Sequence, residues 1–210
     1  MSRILLTRHG ETPWNREGRI QGWAATGLTE RGRREASAMG AWVDDTYDVD
    51  RILVSDSERT RRTTANLRDA AGPLPEPAFD AALRERGFGV YQGFLVEDLF
   101  ERYPEHDPSD SVSALPADPD HGESVAAFCE RVTSAWDSVT AATDPGETTL
   151  VVTHGGVIKV LLAELTDRDR DAALAAHSHD NCAVTEIRLD GDGPTLVAEE
   201  RTDWRETVDW

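Results

Sequence analysis

Three apolar runs end in residues that could do chemistry. Ile4-Leu5-Leu6-Thr7 leads into Arg8-His9-Gly10, and Leu150-Val151-Val152-Thr153 leads into His154-Gly155-Gly156. Between them, Ile52-Leu53-Val54 enters Ser55-Asp56-Ser57-Glu58-Arg59. A neutral imidazole is a nucleophile near pH 7 without an activating base. A guanidinium fork meets two oxygens of an anion at once, and glycine lets the backbone pass close to a ligand. Taken singly, each histidine is more often a structural hydrogen-bonding residue and each arginine a solvated residue or ion-pair partner. The repetition of Thr-(Arg)-His-Gly after two buried strands favours chemistry, and the anion it favours is phosphate.

The elements that must position these residues alternate in type. Ile4–Thr7, Arg51–Val54, Thr149–Thr153, Ala183–Leu189 and Thr195–Glu199 read as strands. Leu28–Asp44 reads as a helix with Thr29 as N-cap and Ala36, Met39, Trp42 and Val43 on one face. A helix follows the second strand, with Ser55-x-x-Glu58 matching a capping box. Gly72–Pro77 is a loop, and Phe94–Tyr103 is helical up to Pro104. Glu123–Thr143 is a long amphipathic helix. Helices over Val157–Leu165 and Asp169–Ala176 complete the set. Apolar strands alternating with helices imply an α/β fold: a three-layer α/β/α sandwich with a mostly parallel central sheet. In such sheets ligands bind outside the carboxyl ends of the strands, so the three polar clusters are expected to converge. The last two also precede helix starts, where free N–H groups favour an anion.

Composition narrows the function classes. The 210 residues suit a single domain over 1–210, with an irregular Pro/Asp/Ser-rich segment at about 102–123. Forty acidic and 22 basic residues give a formal charge of −18, which repels nucleic acid and anionic membranes. The excess also fits adaptation to high salt, which screens carboxylate repulsion. No window approaches a membrane span and no signal-peptide pattern is present, so a cytoplasmic location is expected. Cys129 and Cys182 have no metal-type spacing and are expected as buried free thiols. His9 and His154 lack a neighbouring cluster with ligand spacing, so no metal and no cofactor are expected. Trp204 and Trp210, taken as exposed near the C-terminus, point to a homodimer interface.

The quoted blocks resemble the histidine phosphatase superfamily, in the phosphoglycerate mutase-like branch. "LTRHGETPWN" matches its signature, "LVVTHGGVIK" its second histidine block and "SDSERTRRT" its arginine block. "LRERGFGVYQG" and "HGESVAAFCERV" resemble two further blocks, all in family order across about 3–188. The resemblance implies that His9 accepts the phosphoryl group, with His154 donating to the transferring oxygens. It implies Arg8 and Arg59 as the phosphate clamp, with donors from Asn15 and the Gly155 amide. Glu85 would protonate the leaving oxygen, and Gln21 and Gly22 would border the substrate. Glu11 lies nearer His9 in sequence, but family position favours Glu85 as the acid. Ser57, Thr60 and Gln92 depart from the usual pattern without touching the catalytic set.

Three functions stay open at this stage. A phosphomonoesterase passes phosphate from His9 to water, whereas a phosphoglycerate mutase passes it to a second hydroxyl. The third is a silent phosphoester-binding protein. The expected partner in all three is a small phosphoester, with sugar phosphates, nucleotides, phosphoglycerate and a ribazole phosphate all open. The short interval between Glu85 and His154 and the tail "RTDWRETVDW" favour the phosphatase. His106 and His121 could touch substrate; His177 and His179 read as structural or solvated, and Arg61 and Arg62 as surface ion-pair partners.

Overall fold

The computed structural model describes residues 1–103, 111–115, 118–175, 179–191 and 193–207. Six strands form one sheet: β1 (Ser2–Arg8), β2 (Arg51–Ser55), β3 (Pro77–Asp80), β4 (Thr148–Thr153), β5 (Val184–Asp190) and β6 (Gly193–Arg201). Their order is β3-β2-β4-β1-β5-β6. β1 to β4 are mutually parallel, β5 is antiparallel to β1, and β6 is antiparallel to β5. β4 lies at the centre with every residue buried, which explains its unbroken apolar and β-branched sequence. At one edge, β3 opens on a proline, a residue that cannot donate to a ladder and is tolerated there.

Alternation along the strands sends side chains to two cores. Ile4, Leu6, Val151 and Ile187 face one side, where α5 (Val125–Ala142) and α6 (Gly155–Thr166) bury Phe128, Trp136 and Ile158. Leu5, Ile52, Val54, Leu150 and Val152 face the other, against Ala36, Met39 and Val43 of α2 (Glu30–Thr46) and Leu67 of α3 (Glu58–Ala70). A smaller cluster of Ile20, Phe88, Leu99, Phe100 and Leu115 joins the loops to α4 (Val96–Arg102). The short α1 (Pro13–Arg16) and α7 (Arg170–Ala175) complete the fold. No helix among the described residues is long and apolar enough to cross a membrane.

The structure departs from the sequence expectations in identifiable places. α1 and β3 are additional, because elements of four residues carry too little periodicity to be recognised. Gly72–Glu76 is loop as expected, but Pro77 already belongs to β3. The α3 N-cap is Ser57, whose side chain makes no cap bond; the expected cap, Ser55, has its hydroxyl directed to His154. Trp204 is not exposed. It is fully buried in the α2 core and donates its indole N–H to the Cys182 carbonyl, so it offers nothing to a second copy. Trp210, His106 and His177 lie outside the described residues, as do Pro104 and Ala176. Both cysteines are buried and free.

Candidate active site

Topology brings the two histidine clusters together. β1 and β4 are adjacent and parallel, with Arg8 opposite Thr153, so the residues that follow emerge side by side. The His9 amide continues the ladder to the Thr153 carbonyl at 3.1 Å. The His9 and His154 rings lie 5.4 Å apart, inclined at 62°. α3 starts where the neighbouring β2 ends and carries Arg59 in its first turn.

Hydrogen bonds assign the tautomers. His9 Nδ1 lies 2.9 Å from the Gly10 carbonyl oxygen, which can only accept. Nδ1 therefore carries the proton, and Nε2 keeps a lone pair. Burial, together with the cations of Arg59 and Arg8, holds the imidazole well below its ordinary value, so His9 is neutral near pH 7. His154 is held neutral by burial and by Arg59 in the same way. Its Nδ1 accepts from Arg59 at 3.0 Å, because a guanidinium only donates. Its Nε2–H donates to Ser55 Oγ at 2.8 Å. Both ring nitrogens thus have protein partners, Nδ1 in Arg59 and Nε2 in Ser55. His154 thereby holds one nitrogen of the Arg59 guanidinium.

Arg8, His9 and Arg59 line one cavity of about 230 Å³ with Glu85, Asn15, Gln21, Gly22 and Gly155. Arg59 is 1% exposed and donates to the carbonyls of Gly22 at 2.8 Å and Ala24 at 3.3 Å. Its buried Nε has no partner among the described residues. Burial draws Arg59 down to about 10 against the pull of Glu85, which leaves it a cation. Arg8 donates to the His179 carbonyl at 2.6 Å. Glu85 accepts from the amides of Arg86 and Gly156, at 2.9 and 3.1 Å. Asn15 and Thr12 form a reciprocal cap on α1 that uses Asn15 Oδ1. Gln21 is fixed likewise, its Oε1 accepting from Thr12 and Thr26.

Two expectations change role. A Cβ on Gly10 would lie 2.4 Å from the Gly32 carbonyl oxygen. Gly10 is therefore small to admit α2 rather than a ligand. Gly22 sits in the left-handed region at φ +52° and presents its carbonyl to Arg59, so it holds that guanidinium as well as bordering the cavity. Glu11 turns away, its carboxylate accepting from the Thr29 hydroxyl. Arg61 stacks on Phe79, Arg62 pairs with Glu58, and His121 is exposed outside the cavity lining. His179 is buried against Thr185. Among the described residues no group of three or more His, Cys, Asp or Glu is placed to hold a metal.

Several contributors carried no readable signal. Arg86 is fully buried and holds the carbonyls of Glu123, Ser113 and Leu115. Arg131 gathers those of Ala82, Arg84 and Glu85. Asn181 donates to the His9 carbonyl at 2.7 Å. The cavity also takes Trp14, Phe88, Ser111, Ser113, Gly156 and Lys159. Gly156 belongs to the quoted His154-Gly155-Gly156 cluster, and Lys159 is the sole lysine, one helical turn beyond Gly155.

Residues 4–202 match the family model for the histidine phosphatase superfamily (branch 1). The chain belongs to that superfamily. It is 33% identical over 195 residues to phosphoglycerate mutase-like protein 4 of Arabidopsis thaliana, covering 92% of this chain and 82% of the relative. Among solved structures, Bacillus stearothermophilus YhfR superposes with a TM-score of 0.84 at 32% identity, covering 97% of this chain and 99% of that one. The α-ribazole phosphatase of Shigella flexneri gives 0.77 at 28% identity, covering 95% and 96%. The superfamily's members include phosphatases and mutases, and the fold is phosphoglycerate mutase-like.

Proposed function

We propose that this protein is a phosphomonoesterase working through a phosphohistidine. The observation that carries the reading is His9, neutral, with Nδ1 committed to a carbonyl and Nε2 bearing its lone pair in a cavity lined by the buried Arg59 and the half-buried Arg8. In the first step Nε2 attacks phosphorus, and the bond to the leaving oxygen breaks. That oxygen keeps the electron pair and takes a proton from Glu85. In the second step water attacks the phosphohistidine, Glu85 recovers a proton from it, and His9 is released with inorganic phosphate. Phosphoryl transfer asks chiefly for in-line positioning and charge neutralisation, which Arg8 and Arg59 can supply.

The name of the Arabidopsis relative favours a second reading, a phosphoglycerate mutase. The two are separated by incubation with p-nitrophenyl phosphate and, separately, with 3-phosphoglycerate plus a trace of 2,3-bisphosphoglycerate. Phosphate release from both, lost in His9→Ala, supports the phosphatase. Rapid isomerisation with negligible release supports the mutase. A protein that hydrolyses no member of a phosphoester library and traps no labelled phosphate on His9 is a silent binder, and both enzymatic readings fall.

A further inference from the structure

α3 buries three threonines, Thr60, Thr63 and Thr64. Threonine is a weak helix former, and a buried hydroxyl has to find partners. Thr60 and Thr64 donate to carbonyls within five residues, those of Ser55, Ser57 and Thr60. Thr63 reaches further. Its Oγ1 donates to the Arg59 carbonyl at 2.8 Å and accepts from the Gly10 amide, 53 positions away, at 3.0 Å. The single hydroxyl proton is committed to α3, so a lone pair is what meets Gly10.

That amide belongs to the peptide joining His9 to Gly10. The carbonyl of the same peptide accepts from Asn181 at 2.7 Å. A peptide is planar, so a bond at each end fixes its rotation. The His9 amide is held by the Thr153 carbonyl at 3.1 Å, and the ring Nδ1 by the Gly10 carbonyl at 2.9 Å. Arg59 stands one helical turn before Thr63. One hydroxyl therefore ties the backbone of His9 to the turn of α3 that carries Arg59. Thr63 itself is fully buried and outside the cavity lining.

Resting on the phosphohistidine reading above, we infer that Thr63 is a positioning residue. By pinning the His9–Gly10 peptide to α3, it sets the approach of His9 Nε2 to a phosphorus held by Arg59. In-line attack is sensitive to such placement, and a displacement of about 1 Å can cost roughly 10²-fold.

Thr63→Val puts a methyl in place of the hydroxyl and leaves the Gly10 N–H without its acceptor, whereas Thr63→Ser keeps the hydroxyl. Phosphohistidine formation from p-nitrophenyl phosphate, followed in single turnover, should slow roughly 10- to 100-fold in Thr63→Val. Thr63→Ser should stay within about threefold of wild type, and so should the inhibition constant of inorganic phosphate in both variants, because the guanidiniums are untouched. A rate unmoved in Thr63→Val overturns the assignment, and so does an equal fall in Thr63→Ser. An inhibition constant that rises in step with the lost rate also overturns it, since general loosening of the site gives that result. Failure of Thr63→Val to fold makes the bond a requirement of the fold, and the positioning role falls. Wild-type turnover through His9 with the rate unmoved in Thr63→Val sinks this inference alone; a wild type that forms no phosphohistidine sinks the reading beneath it.

Discussion

Acid should weaken this fold through a residue outside the proposed chemistry. His179 is 5% exposed, with Nε2 at 2.9 Å from Thr185 Oγ1 and its carbonyl on Arg8. Burial, with the charge of Arg8 nearby, lowers its pKa from 6.5 to about 4. Between those values the unfolded chain binds a proton at this position and the folded chain does not, so stability falls as pH falls through the window. A window of about 2.5 pH units at ~1.36 kcal/mol each gives a loss of about 3 kcal/mol, complete near pH 4. Carboxylates and the falling net charge change stability over the same range, so the test is a difference. Urea denaturation of wild type and His179→Gln, followed by tryptophan fluorescence at constant molar potassium chloride, gives both curves. The stability of wild type minus variant should drop by about 3 kcal/mol from pH 7 to 4. A difference flat within about 0.5 kcal/mol would show that His179 takes its proton without cost, and the reasoning fails.

Other perturbations test the site's architecture. Asn181→Ala removes the bond to the His9 carbonyl and should lower kcat by roughly tenfold or more with KM little changed, measured in steady state. Gly156→Ala would place a Cβ 2.3 Å from Glu85 Oε1 and 3.2 Å from Ser113 Oγ. Displacing that carboxylate should slow alkyl phosphates more than p-nitrophenyl phosphate, and equal slowing would remove Glu85 from the acid's role. Arg59→Lys cannot reproduce donation to Gly22, Ala24 and His154 together, and turnover should fall by roughly 10²-fold or more. With a formal charge of −18, thermal stability should rise from low to molar potassium chloride, and equal melting temperatures would end the proposed salt adaptation.

The sequence by itself determined the parts of this protein that local patterning specifies. Unbroken apolar runs and helical spacing marked the long elements, and the clusters Arg8-His9-Gly10, Ser55–Arg59 and His154-Gly155-Gly156 pointed to one end of the sheet before any contact was known. Thr29 was readable as a cap because capping is a contact between near neighbours, and it does accept from the Gly32 amide. Ser55 looked like a cap on the same logic and is not one, because its hydroxyl is claimed by His154 from β4's far end.

Only the tertiary structure decided what each polar group faces. It set the tautomer of His154, turned Gly10 into a seat for α2, buried Trp204, and placed Lys159 in the cavity that Arg8 lines. Each of these depends on a partner distant in the chain, brought near by the order β4-β1-β5. Hydrogen bonding and desolvation act over a few ångströms of space, and sequence spacing measures that distance only within one helix, strand or turn.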